Sequence, residues 1–111
     1  MILPKHLTQP QIGQKLHEDN IKCLLFSELL KFGFEVVAEV KINFSRYDLV
    51  VYDGSEPVVG IEVKNRPAQT PSKHGRQYRR YESNRLPVIY CMGLRLIDDT
   101  VEQVQAIFNK R

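Results

Sequence analysis

The stretch YDLVVYDGSEPVVGIEVK, residues Tyr47–Lys64, decides the fold because it predicts two apolar β-strands joined by a tight turn. The first strand alternates leucine, valine and tyrosine, and the second is rich in β-branched residues. Between them, Asp53 and Gly54, followed by Ser55 and Pro57, are typical of a turn. The sequence therefore predicts a β-hairpin at the centre of the chain.

Three charged residues, Asp48, Glu62 and Lys64, interrupt this apolar hairpin. Charges set into buried strands are costly unless they are paired or bound to a metal ion. Glu62 and Lys64 are two residues apart, so both project from one face, and the turn returns Asp48 to the neighbourhood of Glu62. We therefore expect two carboxylates and one ammonium group to share a small patch. The structural alternative is a surface hairpin that carries a Glu–Lys pair and an acid at a strand start.

The segments around the hairpin predict an α/β domain with a mixed sheet and helices packed on its faces. A first helix is clearest from His17 to Phe32, with Ile21, Leu24, Leu25, Leu29 and Phe32 as its apolar stripe, and Gly33 ends it. A strand over Phe34–Ile42 precedes the hairpin. The segments predicted after it are a second helix from Ser72 to about Asn84, then one or two strands, Val88–Met92 alone or with a short strand Leu94–Ile97, and a last helix capped at Asp98–Thr100.

Length and composition indicate one domain over residues 1–111, in which residues 1–9 form an N-terminal arm. The sequence contains neither a run of about 20 apolar residues, as a membrane span requires, nor a signal-peptide pattern, so we expect a cytoplasmic protein. Cys23 and Cys91 lie in predicted core elements without metal-ligand spacing, and we expect both to be buried free thiols.

Positive charge is concentrated after the hairpin. Residues 65–85 contain six basic residues and one acid, giving +5, while the whole chain carries +3 and the remainder therefore −2. The helix predicted there has no aliphatic residue, so it is not expected to be buried for hydrophobic reasons. A cationic patch beside clustered acids suggests a polyanion such as nucleic acid as partner, although a solvated helix face gives the same pattern.

The two hairpin carboxylates suit a hard divalent cation. Mg²⁺ is usually bound through one or two carboxylates and keeps several sites for water and phosphate, and Mn²⁺ is an alternative ion. Asp48, Glu62 and the backbone carbonyl of Val63 are the predicted ligands. Lys64 is placed to orient or deprotonate a water, or to stabilise charge on phosphoryl oxygens. Glu18 and Glu28 both lie on or beside the apolar stripe of the first helix, so either position is compatible with facing the interior. The structural alternative is a first-turn acid favoured by the helix dipole for Glu18, and a surface acid paired with a basic neighbour for Glu28.

Asp48, the interval that follows it, and Glu62-Val63-Lys64 resemble the core motif of the PD-(D/E)xK nuclease superfamily. The element order also resembles the αβββαβ core of its restriction-endonuclease-like fold. Gln77 and Tyr81, four residues apart, resemble the QxxxY motif of its RecB-like and type I restriction-subunit branches. Tyr47 stands where the motif's name has proline, which is a departure at a variable position.

This resemblance implies Mg²⁺-dependent hydrolysis of DNA phosphodiester bonds by an endonuclease of restriction-like, homing or junction-resolving type. It implies that Asp48 and Glu62 bind the metal, that Lys64 assists the attacking water, and that Glu18 supports the metal site. Gln77 and Tyr81 would hold the site or the DNA backbone in position. The residues themselves add a set of predicted phosphate contacts, Lys73, Arg76, Arg79 and Arg80.

Two other classes of function compete with a nuclease. The first is a DNA-binding module with the nuclease fold, weak or inactive in catalysis, that acts with a partner. The second is an α/β interaction domain whose acids are engaged in salt bridges, but this leaves the cationic helix unexplained. A chain of this length has no separate recognition domain, so specificity would come from loops, from a partner, or from a homodimer or higher homo-oligomer.

Overall fold

The protein is described here by a computed structural model over residues 9–64 and 86–111, with side chains from residue 17 onward in the first segment. The elements in chain order are α1 (Gln9–Lys31), β1 (Glu35–Ile42), β2 (Ser45–Asp53), β3 (Glu56–Val63), β4 (Val88–Cys91), a 3₁₀ helix (Leu94–Leu96) and α2 (Ile97–Asn109). The helix predicted over 72–84 and most of the predicted arm lie outside the described residues. The predicted α/β architecture is otherwise confirmed.

The four strands form one mixed sheet in the order β1-β2-β3-β4. The first three are antiparallel neighbours, and β4 lies parallel to β3. The turn predicted at Asp53-Gly54 joins β2 to β3, and Gly54 has the positive φ of 64° that this turn requires. The sheet therefore has the mixed character expected from an αβββαβ-like core.

The helix α1 ends where the sequence predicts it to end. Gly33 has φ 90°, and the N–H groups of Gly33 and Phe34 donate to the carbonyls of Leu30 and Leu29, each at 3.0 Å. This pair of bonds is a Schellman motif, for which a C-terminal glycine is favoured. It turns the chain from the end of α1 into β1.

Both described helices cover the same face of the sheet. Ile21, Leu25 and Leu29 of α1 are buried together with Val101 and Val104 of α2. The strand residues on this helix-side face are Val36, Leu49, Val51, Val59, Ile61, Val63, Ile89 and Cys91. This cluster is the main core of the domain.

Three expectations about α1 are wrong because its buried stripe is narrower than the hydrophobic pattern suggests. Leu24 and Phe32 are half exposed, and Cys23 is exposed rather than buried. The sheet and α2 contact only one side of α1, so apolar residues that flank this contact remain at the surface. Cys91 is a buried free thiol, as predicted.

The C-terminal segment also differs from the prediction. Leu94–Leu96 is a 3₁₀ helix and not a strand, and it leads directly into α2. The first residue of α2 is Ile97, and its N-cap position, Leu96, makes no side-chain capping bond. Thr100 is buried inside the first turn, where its hydroxyl donates to the Leu96 carbonyl at 2.8 Å, so it does not cap the helix.

The opposite face of the sheet carries a second, smaller cluster. Tyr47 and Val50 are fully buried there, packed with Val40, Ile42, Tyr52, Leu86, Val88 and Tyr90. In the described part of the chain, no helix is long and apolar enough to cross a membrane.

The sheet has a register shift between β2 and β3 at Val51/Tyr52. A second irregularity lies between β1 and β2, and we call it the strand break and define it by Glu39 and Asp48. These two residues face each other across β1 and β2, and the pairing passes from Ala38–Leu49 to Val40–Tyr47 without them. Glu39 has φ 57°, which is uncommon for a residue other than glycine, asparagine or aspartate. Both strands exchange faces here, so that Leu49 lies on the helix side while Tyr47 lies on the opposite side.

Candidate functional site

The candidate site begins where β2 and β3 stop pairing. Their last pair at this end is Leu49 opposite Ile61. One residue beyond it, Asp48 Oδ2 accepts a hydrogen bond of 2.8 Å from the backbone N–H of Val63. The Asp48 carboxylate thus accepts the hydrogen bond that a backbone carbonyl of β2 would otherwise accept from β3. This bond holds Asp48 next to the segment that contains Glu62 in the neighbouring strand.

At the end of β3, the backbone N–H groups of consecutive residues point alternately toward β4 and toward β2. The N–H of Lys64 donates to the Cys91 carbonyl at 2.8 Å, toward β4, whereas the N–H of Val63 points toward β2. In a strand, the N–H and C=O of one residue point to the same side. The Val63 carbonyl therefore also faces the side on which Asp48 lies.

Glu62 lies inside the protein although it is ionisable. Only 4% of its surface is exposed, and it is a parallel neighbour of Tyr90 on the face opposite the described helices. A carboxylate is rarely buried to this extent unless it is engaged by other groups or by an ion. Glu62 does make interactions within the protein. Lys64, the residue directly after β3, is half buried, so the Glu-x-Lys motif spans the end of this strand.

Tyr47 and Gly60 fix the position of the strand that carries Asp48. The Tyr47 ring is fully buried against Gly60, and a Cβ added there would lie 2.5 Å from Tyr47 Cδ1. Such a distance is too short for two carbon atoms in contact, so only glycine fits beneath this ring. The motif position at which proline would have been expected is thus occupied by a large core residue.

Lys22 connects α1 to the strand break. Its ammonium group forms an ion pair with Glu39 and lies 4.0 Å from an Asp19 carboxylate oxygen. Partial burial lowers the pKa of Lys22, but the hydrogen bond to Glu39 and the charges of Glu39, Asp48 and Asp19 outweigh it and raise the pKa above its ordinary value. Lys22 is therefore close enough to Asp48 for their charges to interact.

Sequence reasoning did not identify Lys22 or Glu39 as part of this site. Lys22 follows Ile21 at the margin of the apolar stripe, where a lysine is normally solvated, and Glu39 interrupts a strand in the manner of any surface acid. The only available signal is that two opposite charges occur near an expected carboxylate site. Their contact depends on how α1 crosses the sheet, which the sequence pattern does not show.

The two acids of α1 occupy different positions relative to the strand break. Glu18 is partly buried one turn before Lys22 on the same side of the helix. Glu28 is six residues beyond Lys22, which is about 9 Å further along the axis at 1.5 Å per residue. That part of the helix leads toward Leu30 and Phe34, which line an open cavity of about 430 Å³ at the other end of the sheet.

Among the described residues, no three His, Cys, Asp or Glu side chains are grouped so as to hold a metal ion. The predicted ligand set has only two carboxylates, Asp48 and Glu62, and a backbone carbonyl. The other predicted site residues, Gln77 and Tyr81, and the predicted phosphate contacts, Lys73, Arg76, Arg79 and Arg80, lie outside the described residues. What the structure brings together is therefore Asp48 with the Glu62–Lys64 strand end, and Lys22 with both Glu39 and Asp48.

Comparison with known families places nearly the whole chain in a described family. The model of the family described as "Type I restriction enzyme R protein N terminus" matches residues 11–110, nearly the whole chain. No curated protein and no solved structure gives a significant match.

Proposed function

Because this chain belongs to the family of type I restriction enzyme R protein N-terminal domains, we propose that it is a Mg²⁺-dependent endonuclease that hydrolyses DNA phosphodiester bonds. The family supports a restriction-related, nuclease-like domain, and the catalytic activity itself is our inference. It depends mainly on one observation, the 2.8 Å bond from the Val63 N–H to Asp48 Oδ2. This bond holds a carboxylate of β2 beside the Glu-x-Lys segment of β3, in the order that PD-(D/E)xK nucleases use.

The residues present fit a hard divalent ion. Mg²⁺ needs only one or two protein carboxylates, because water and phosphate oxygens complete its octahedron. Asp48 has a second carboxylate oxygen besides the one bonded to Val63, the Val63 carbonyl faces the same side, and Glu62 is a buried carboxylate. We propose these three residues as ligands of Mg²⁺, with Mn²⁺ as a substitute. A bound ion would polarise a phosphoryl oxygen and lower the pKa of a water molecule.

Lys64 and Glu18 have supporting roles in this proposal. Lys64 follows Glu62 at the half-buried end of β3, where its ammonium group would orient the attacking water or stabilise charge on the phosphoryl oxygens. Glu18 is preferred over Glu28 because it lies on the Lys22 side of α1, near the strand break. Lys22 would add a positive charge near the Asp48 carboxylate, since the charges of the two groups interact.

The finer family assignment is part of the proposal. Asp48, Glu62 and Lys64 support membership of the PD-(D/E)xK superfamily, and Gln77 with Tyr81 supports its QxxxY branch. In this scheme Gln77 and Tyr81 position the site or the DNA, and Lys73, Arg76, Arg79 and Arg80 bind phosphates. A homodimer would place two such sites on the two strands of a duplex.

A DNA-binding module without turnover is the second candidate. It is favoured by the manner in which Asp48 is engaged: one oxygen accepts the Val63 N–H and the charge of Lys22 lies nearby. The hydrogen bond and the nearby charge would also be expected around an aspartate that only stabilises the fold. In this case the domain would bind DNA for a partner subunit that supplies the catalysis.

Cleavage of supercoiled plasmid with Mg²⁺ distinguishes the two candidates. The parent protein should nick or linearise the plasmid, EDTA should abolish this, and Asp48→Asn, Glu62→Gln and Lys64→Ala should each reduce the rate by at least about 10²-fold. Glu102→Gln is the matched control, because it removes one carboxylate from the exposed surface of α2 and should cleave at the parental rate. DNA binding without cleavage on duplex, single-stranded or branched substrates would exclude the nuclease and favour the binding module.

A further inference from the structure

The turn that joins β1 to β2, which we call the hairpin tip and define as Lys41–Arg46, presents an unusual surface. Phe44 is 83% exposed, more than any other large hydrophobic residue in the described part of the chain. Its neighbours are nevertheless anchored: Ser45 is buried, Ile42 packs against the smaller cluster, and Asn43 adopts the positive φ of 55° that closes the turn. The aromatic ring is thus held out to solvent by a fixed support.

The same turn concentrates positive charge. Lys41 and Arg46 are directly opposite each other across the two strands, and both are exposed. The two side chains therefore place two positive charges side by side on one exposed surface. A polyanion that lies across both side chains would be attracted by both charges.

The hairpin tip lies at the same end of the sheet as the candidate site. β2 leads from the tip to Asp48, and β3, which is antiparallel to it, ends at Val63 on this side. Phe44 is four residues from Asp48, about 13 Å along an extended strand. That distance corresponds to about four nucleotides of DNA at 3.4 Å each.

We propose that the hairpin tip is a DNA contact, in which Lys41 and Arg46 bind phosphates about two nucleotides from the site and Phe44 stacks against an exposed base about four nucleotides from it. This rests on the proposed function for the position of the scissile bond. A second copy of the chain is a less suitable occupant, because a two-fold interface at the tip would bring like charges together. Basic side chains flanking an exposed aromatic ring are the combination by which single-stranded or distorted DNA is bound.

Binding of a fluorescein-labelled DNA to the parent and its variants, followed by anisotropy in EDTA, tests this proposal without requiring cleavage. The DNA should contain a duplex and a single-stranded extension. Lys41→Gln/Arg46→Gln should weaken binding about tenfold or more and reduce the slope of log affinity against log salt by about 1 to 2. Phe44→Ser should weaken binding roughly fivefold or more and leave this slope unchanged.

The matched control, Lys31→Gln/Lys110→Gln, removes the same charge at the far end of the molecule, where both lysines are exposed. It should bind within about twofold of the parent at moderate salt, because these charges lie beyond a Debye length of about 10 Å from the tip. If it weakens binding as much as the tip variants, or if the tip variants bind like the parent, the proposal is wrong.

Two further outcomes are decisive. A parent protein that binds no DNA, or a dimer that Phe44→Ser converts to a monomer in light scattering, would overturn the proposal, the second in favour of a self-association surface. A parent that binds DNA through the tip but never cleaves it would confirm the tip contact and exclude the nuclease. Thermal unfolding should show that all variants fold, since each altered side chain is exposed.

Discussion

Gly60→Ala offers a direct test of how the strand that carries Asp48 is held. A Cβ at this position would lie 2.5 Å from Tyr47 Cδ1 and 2.8 Å from Cε1. Both distances are well inside the 3.5–4.0 Å at which carbon atoms attract each other, and the ring is fully buried. The ring must therefore move, and overpacking of this kind costs about 1–3 kcal/mol in free energy of unfolding.

The expected result is a fall in melting temperature of roughly 4–24 °C, from about 1–3 kcal/mol at about 4–8 °C per kcal/mol for a domain near this size. If the domain is a nuclease, cleavage should fall further than stability predicts, because displacing Tyr47 also displaces Asp48 from the Val63 N–H. A shift of about 1 Å in a catalytic group is able to cost about 10²-fold in rate.

A double-mutant cycle measures the contact itself. In a Tyr47→Leu background the ring is absent, so Gly60→Ala should cost much less, with a coupling free energy of about 1–3 kcal/mol from urea denaturation. Gly33→Ala is the stability-matched control, since its φ of 90° strains an L-residue without any atom within 4 Å. It should cost about 1–2 kcal/mol and leave cleavage by the folded protein unchanged. Equal costs of Gly60→Ala in both backgrounds would refute the proposed packing.

Three other substitutions test contacts elsewhere in the domain. Lys22→Gln should lower the free energy of unfolding by about 0.5 kcal/mol at neutral pH. Folding raises the pKa of Lys22, so this stabilisation is fully present below the ordinary pKa of 10.5 and is lost as the pH rises through the raised pKa. The free energies of unfolding of parent and variant, measured by urea denaturation, should therefore become equal only above the raised pKa. Arg111→Gln removes exposed ion pairs with Glu56 at 2.9 Å and Asp53 at 3.6 Å. The resulting loss in free energy of unfolding, measured by thermal melts, should not exceed about 0.5 kcal/mol and should vanish in 1 M salt. Thr100→Val should cost about 1 kcal/mol, measured by urea denaturation, because it removes the hydroxyl bond to the Leu96 carbonyl inside the first turn of α2.

The sequence predicts the order and types of most elements because local signals agree with the tertiary structure. Gly33 ends α1, Asp53-Gly54 turns β2 into β3, and the β-branched run of β3 is buried. The errors occur where the local sequence pattern is weak or fits two kinds of secondary structure equally well. The pattern over Leu94–Ile97 suits a strand, but Leu94–Leu96 instead forms the 3₁₀ turn that leads directly into α2.

For the candidate site, sequence reasoning correctly placed Asp48 beside Glu62, because the register of a hairpin is set by its turn. The burial of Glu62 followed from the apolar residues around it. The ion pair of Lys22 with Glu39 and the charge interaction of Lys22 with Asp48 were not predictable. They join a helix to two strands that are far apart in sequence, and hydrophobic periodicity describes only residues within one element. The positive φ of Glu39 was equally hidden, because glutamate carries no preference for that conformation.

The strand break is what makes Asp48 available to the candidate site. Had β2 kept its alternation, Tyr47 would share the helix-side face with Leu49, and the pairing with β3 would continue past Ile61. Instead Tyr47 crosses to the face of Gly60, and the Asp48 carboxylate reaches the Val63 N–H.

This arrangement requires Glu39 to adopt a conformation that costs about 1–2 kcal/mol for an L-residue. The ion pair of Glu39 with Lys22 offsets part of that cost, and it also brings the charge of Lys22 to Asp48. The side chains of Lys22 and Tyr47, the backbone of Glu39 and the missing side chain at Gly60 therefore act on the same carboxylate. A substitution at any of these four positions should therefore change the position of Asp48 or the charges that surround it.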